Sequence, residues 1–264
     1  MDMNVQRSVV AQLSQRPQVI EAGPFVLGWD PTSASRFISY ATPRPGAEIT
    51  SADVAELVAA FRGIDRMPRL EYVVSSAPDL ERQLLAAGFT VEARHDYLVC
   101  TPQTFATGEC LREPSGVQSV VPPAGFEILE PVTDDEIGGM VAAQGEAFGG
   151  AFEVGEADIA RVRRNVSRGG FVLLARSAPD GVPAGGAQAS SPGEGMSEVA
   201  GIAVREAFRR RGVAGALTAG VTRRAFAAGV EAAWLEASGD ESWRVYERVG
   251  FVPTGKRLYI ALEP

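Results

Sequence analysis

EVAGIAVREAFRRRGVAGAL, residues Glu198 to Leu217, changes character at its middle. Val199, Ile202 and Val204 give the first part the β-branched bulk of a buried strand, and Gly201 inside it marks a bulge or a close backbone approach. Arg209, Arg210 and Arg211 follow, then Gly212, Val213, Ala214, Gly215, Ala216 and Leu217, with Val213, Leu217, Val221 and Ala225 recurring at helical spacing. The stretch reads as a strand, a short connection and a Gly-containing turn that opens into a helix near Gly212. The first turn of a helix has unpaired N–H groups and a partial positive charge, and small residues there let an anion reach the amides. Three arginines at the mouth fit an anion site; they also fit a solvated basic cluster before a surface helix. No Gly-Lys-Ser/Thr follows, as a P-loop needs, and the GxGxxG of a dinucleotide fold is missing.

Arg209-x-x-Gly212-x-Ala214 behind a strand resembles the pyrophosphate-binding motif of the GNAT superfamily of acyl-CoA-dependent N-acyltransferases. AAWLEAS, residues 232 to 238, reads as the next strand, and ESWRVYERVGFVPTGKRLYIALEP resembles the family's last helix and final strand pair. Within it, Tyr246-x-x-x-Gly250-Phe251 matches that region's tyrosine and helix-ending glycine. The resemblance covers roughly residues 124 to 264.

The resemblance implies an α/β fold of the α+β type, a mixed central sheet flanked by helices, and transfer of an acetyl group from acetyl-CoA to a primary amine by direct attack, without a metal. Ile202, Ala203 and Val204 would pair with the pantetheine through main-chain groups, and Arg209, Arg210, Arg211, Gly212, Val213, Ala214 and Gly215 would surround the pyrophosphate. A backbone N–H near Ala203 or Val204 would stabilise the thioester oxygen. Tyr246 is the candidate acid for the departing thiolate, a phenol being a donor with an ordinary pKa near 10; the alternative is a helix tyrosine packed on the sheet. Glu198 is the candidate base, directly or through a water, with Glu236 and Asp240 competing. A catalytically silent acyl-CoA-binding or scaffold protein of the same fold remains the alternative, since fold does not settle activity. The expected partner is a small-molecule or peptide amine, and a homodimer is compatible with this reading.

The first hundred residues repeat the layout. SADVAELVAAFRG, from Ser51, places Val54, Leu57, Val58 and Phe61 on one helical face, with Ser51 as candidate N-cap. PRLEYVVSS reads as a strand, and Pro78-Asp79 opens a helix ending at Gly88-Phe89, before the alternating TVEARHDYLVC. Gly88-Phe89 then corresponds to Gly250-Phe251, and Leu84 takes the place of Tyr246. TPRPGAEITSADV has no Arg-x-x-Gly-x-Ala element. Residues 1–101 are thus expected to be a degenerate GNAT-like half without a cofactor motif, and the Pro-, Gly- and Ser-rich residues 102–123 a linker to a domain at 124–264. There Phe126 to Pro131 reads as a strand, Thr133 to Glu136 as an acidic helix start, residues 155–169 as a second helix, and Phe171 to Ala175 and 182–190 as strands around a turn.

A chain of 264 residues with 45% hydrophobic content can bury a substantial core. Its net charge of −8 argues against non-specific nucleic-acid binding. No signal-peptide pattern or membrane-length apolar run occurs, so the expectation is a cytoplasmic protein with no membrane partner. Cys100 and Cys110 are the only cysteines and read as structural thiols; His95, the only histidine, reads as a surface or interface residue. Trp234 and Trp243 read as core or domain-contact residues, and Arg161, Arg163, Arg164 and Arg168 as a solvated helix face.

Overall fold

The computed structural model describes residues 1–33, 35, 37–106, 121–150, 153–237 and 239–263, without the side chains of 240 and 241. Cys110 and most of the expected 102–123 linker lie outside the described residues; Pro102–Ala106 is a short helix, α4. Two compact units emerge, Met1–Tyr97 with Pro253–Pro264, and Leu98–Val252. The last strand therefore belongs with the N-terminal unit, a different division from a boundary within residues 102–123.

In the N-terminal unit, α1 (Asp2–Leu13) precedes the hairpin β1 (Gln18–Ala22) and β2 (Phe25–Trp29), then β3 (Tyr40–Pro43), α2 (Ser51–Gly63), β4 (Arg69–Val73), α3 (Leu80–Ala86) and β5 (Thr90–Cys100), whose last residues lie in the other unit. The final strand of the chain, β11 (Val252–Ala261), pairs antiparallel with β4, Leu258 opposite Tyr72 and Ile260 opposite Leu70. β3 and β4 run parallel, joined by the α2 crossover. Phe25, Leu27, Leu57, Phe61, Leu70, Leu84, Phe89, Leu258 and Ile260 share one core. The helix α2 is capped by Thr50, one residue before the expected Ser51, because Thr50 Oγ1 accepts from Asp53 N–H while the Asp53 carboxylate accepts from Thr50 N–H. Beneath Tyr259, buried Arg69 and Arg257 meet the Glu71 carboxylate, and Arg69 Nε donates to Glu92 at 2.7 Å. Burial opposes charge on Arg69, but the Glu71 and Glu92 carboxylates outweigh it and raise its pKa.

The second unit continues with β6 (Phe126–Leu129), α5 (Asp134–Ala147), α6 (Glu156–Ser167), β7 (Phe171–Ser177), β8 (Pro183–Ala189), β9 (Met196–Val204), α7 (Val213–Ala227), β10 (Ala232–Ala237) and α8 (Asp240–Val249). The order β10-β9-β8-β7-β6 is parallel only at β9–β10 and antiparallel elsewhere. The acidic helix start is a capping box at Thr133 and Glu136. Alternation splits each strand between two faces: Leu173, Ala175, Ala233 and Leu235 join α7 residues Val213, Leu217 and Val221 in the main core, whereas Val172 and Leu174 face Ile137 and Met140 of α5. Leu98, Cys100 and Phe105 complete the α7-side core.

Both halves of the sequence run in the order parallel strand, helix, parallel strand, helix, Gly-Phe, strand. Their helix ends are closed alike. Gly88 (φ 89°) and Gly250 (φ 109°) are left-handed, and Phe89 N–H donates to Leu84 O as Phe251 N–H donates to Tyr246 O, both at 3.1 Å. A Cβ at Gly250 would also run into the Thr104 carbonyl oxygen, so sterics and φ both demand glycine there.

Candidate active site

The β9–β10 pairing covers Met196↔Ala232, Ser197↔Ala233 and Glu198↔Trp234 and then stops, although β9 continues to Val204. A bulge accompanies the parting: Gly186 faces Ala203 while Gln188 faces Ala200, which leaves one extra residue on β9 where Gly201 takes φ 62°. Gln144 of α5 fixes this bulge, its Nε2 donating to Gly201 O at 2.6 Å. The glycines of β8 permit the approach, because a Cβ at Gly186 would meet Met140 Cγ at 2.5 Å. Sequence periodicity marked Gly201 but had no means of naming Gln144 as its partner.

The register also orients the free edge. Arg205 N–H donates to Ala184 O at 2.8 Å, so Arg205 and Ala184 form a hydrogen-bonded pair and the next pair, Val204 and Gly185, turns its N–H and C=O groups outward. The outward Val204 carbonyl accepts from Arg209 Nε at 3.0 Å, and its N–H faces the side from which β10 has withdrawn.

Beyond β9, Gly212 (φ 82°) is the N-cap of α7, with no side-chain cap and no acidic residue in the first turn. Arg210 is left-handed as well, at φ 61°. The uncapped amides open into a cleft of about 580 Å³. Ile202, Ala203 and Val204 line it from β9, Arg209, Arg210 and Gly212 to Gly215 from the turn and α7, and Ser242, Arg244, Val245 and Arg248 from α8. Of the expected cofactor residues only Arg211 is not part of the lining: its guanidinium lies 4.4 Å from the Phe126 ring centroid. Arg209 lines the cleft while its guanidinium is held by Val204 O and Ala147 O, so it braces the turn. Arg244 and Arg248 went unnoticed in the sequence because arginine supplies nearly all of this chain's positive charge and carries little positional information.

The proposed proton-transfer residues sit apart from that lining. Tyr246 is 8% exposed in α8, edge-on to Phe251, and burial pushes its phenol up to about 12. Glu198 stands at the last β9–β10 pair, opposite Trp234. Because Ala233 and Leu235 face α7, Glu198, Trp234 and Glu236 lie on the opposite face, flanking the point where the strands part. The side chain of Asp240 lies outside the description.

At the matching crossover of the N-terminal unit the first helical turn is closed differently. There α2 closes its first turn with Thr50 and places the Asp53 carboxylate where an anion would sit. Hydrogen bonds from Thr50 lower the Asp53 pKa and keep that carboxylate ionised. His95 is half-buried, edge-on to Tyr259 at 5.0 Å. Trp234 is fully buried and Trp243 packs on the main core. Arg161 and Arg163 are paired with Asp158 and Asp134. Burial pushes the free Cys100 thiol up to about 12, as suits an inert core thiol. Among the described residues no helix is long and apolar enough to cross a membrane.

Comparison with known proteins agrees with this geometry. Residues 140–251 match the model of the Acetyltransferase (GNAT) family. A GCN5-related N-acetyltransferase from Kribbella flavida superposes with a TM-score of 0.78 at 24% identity, covering 100% of this chain and 96% of its own. A tandem GNAT protein from the clavulanic acid biosynthesis pathway gives 0.61 at 15% identity, covering 99% and 95%. A GCN5-related N-acetyltransferase from Sphaerobacter thermophilus also gives 0.61, at 16% identity over 91% and 78%. The whole chain has the fold of these structures. A comparison with curated proteins returns no match.

Proposed function

We propose that this chain, whose residues 140–251 match the model of the GNAT acetyltransferase family, transfers an acetyl group from acetyl-CoA to a primary amine. The observation that carries the reading is the uncapped α7 N-terminus directly after a strand edge left free by the parting of β9 and β10. Acetyl-CoA supplies an activated thioester. The amides of Gly212 to Gly215 offer the diphosphate aligned N–H donors at the positive end of a helix dipole. The edge from Ile202 to Val204 offers the pantetheine amides a strand to pair with. Of the two groups put forward for the thioester oxygen, Val204 N–H is favoured, because Ala203 N–H turns toward β8.

The acceptor amine would come from the face carrying Glu198 and Glu236, since the α7 face is packed core. Either carboxylate can take the amine proton directly or through a water. Tyr246 is the donor proposed for the leaving thiolate. A phenol near 12 is a weak acid toward a thiolate of pKa about 8.5, so the transfer is uphill unless the bound ligand changes the phenol's surroundings. The absence of Tyr246 from the described cleft lining, with its side chain only 8% exposed, favours as second reading a silent acyl-CoA-binding protein of the same fold. A panel of small amines and peptides with acetyl-CoA, followed by release of free thiol, tests the choice: thiol release dependent on one acceptor supports the enzyme, and tight binding without release across the panel supports the silent protein.

A further inference from the structure

The cleft of the second unit carries more positive charge than a diphosphate at the α7 amides uses. Its described lining includes Arg209, Arg210, Arg244 and Arg248 and no carboxylate, in a chain whose net charge is −8. Arg209 is committed to two carbonyls. Arg244 and Arg248 are different. They stand one turn apart on α8, both exposed, and neither forms an ion pair or hydrogen bond among the described residues. Two like charges at i and i+4 repel and disfavour the helix that carries them, an arrangement a multivalent anion between them would reverse.

We propose that Arg244 and Arg248 form a second anion subsite, separate from the α7 amides, that holds the 3′-phosphate monoester of coenzyme A. The inference rests on the acetyl-CoA reading and deepens it. With the diphosphate at Gly212–Gly215, the α8 wall is the other positively charged boundary of the same cleft, so a further phosphate on the same ligand meets it. A monoester carries close to two negative charges at neutral pH and accepts from two guanidinium groups at once. An anionic group on the acceptor shares this chemistry, and the test separates the two sources.

Binding of acetyl-CoA and of its 3′-dephospho analogue is to be measured for the wild type, for Arg244→Ala/Arg248→Ala, and for Arg163→Ala, whose arginine pairs with Asp134 outside the cleft. The wild type and Arg163→Ala should prefer acetyl-CoA by about tenfold, the scale of two exposed charge-assisted contacts, and the preference should shrink with added salt. The double variant, with a melting temperature no lower than the wild type's, should bind both thioesters with the wild type's affinity for the dephospho form. Equal wild-type affinities overturn the proposal, as does a preference that survives in the double variant. So does a double variant that changes only the KM of the acceptor amine, which assigns the anion to the acceptor. If neither thioester binds the wild type, the acetyl-CoA reading itself falls.

Discussion

Tyr246 and Gln144 are the two side chains whose surroundings set most of the local chemistry. With its pKa raised from 10 to about 12 by burial, the Tyr246 phenol binds its proton more tightly in the folded chain. The associated stability is fully present below pH ~10 and is lost as the pH rises toward 12, a change on the order of 2–3 kcal/mol. Melting curves at stepped alkaline pH should therefore fall more steeply for the wild type than for Tyr246→Phe. If the phenol is the acid, Tyr246→Phe should keep acetyl-CoA affinity and lose turnover toward the lower end of the ~10²–10⁴-fold range of general acid catalysis. Full turnover in that variant removes Tyr246 from the mechanism. Gln144→Leu leaves the Gly201 carbonyl without its donor and should cost about 1–3 kcal/mol. It should also raise the KM for acetyl-CoA, because the bulge sets where the Ile202–Val204 edge runs; unchanged KM with the stability lost would make Gln144 a purely structural clamp.

At the scale of elements, the contrast between α7 and α2 decides which crossover accepts an anion. Gly215→Glu puts a carboxylate into the uncapped first turn of α7 and should abolish diphosphate binding, whereas Asp53→Ala should weaken the α2 cap without creating a second site. Calorimetry of both variants with coenzyme A checks the pair. Much of this was legible in the sequence: the strand to Val204, the turn at Gly212, the bulge at Gly201 and the paired Gly-Phe endings each rest on a residue whose backbone geometry is local. Other features were not. The sequence RLYIAL says that β11 is buried but not that β4 lies beside it, since strand partners are chosen by long-range packing. Gln144, Arg244 and Arg248 act through neighbours distant in sequence or through a cleft that exists only after folding.

For the molecule as a whole, the last strand changes what counts as a domain. Pro253–Pro264 supplies Leu258 and Ile260 to the N-terminal core and Arg257 to the Glu71 carboxylate. Arg257→Ala should destabilise that unit by about 1–3 kcal/mol, because Glu71 loses a buried guanidinium while keeping Arg69, and denaturant melts give the value directly. A fragment of residues 124–264 lacks Leu98, Cys100 and Phe105 of the α7-side core and carries β11 away from β4, so it should not give a cooperative transition.

The account stands most directly on the number of acetyl-CoA sites per chain. Titration calorimetry of the full chain should give one site, lost in Gly215→Glu and retained in Asp53→Ala; two sites per chain, or one site that survives Gly215→Glu, would contradict it.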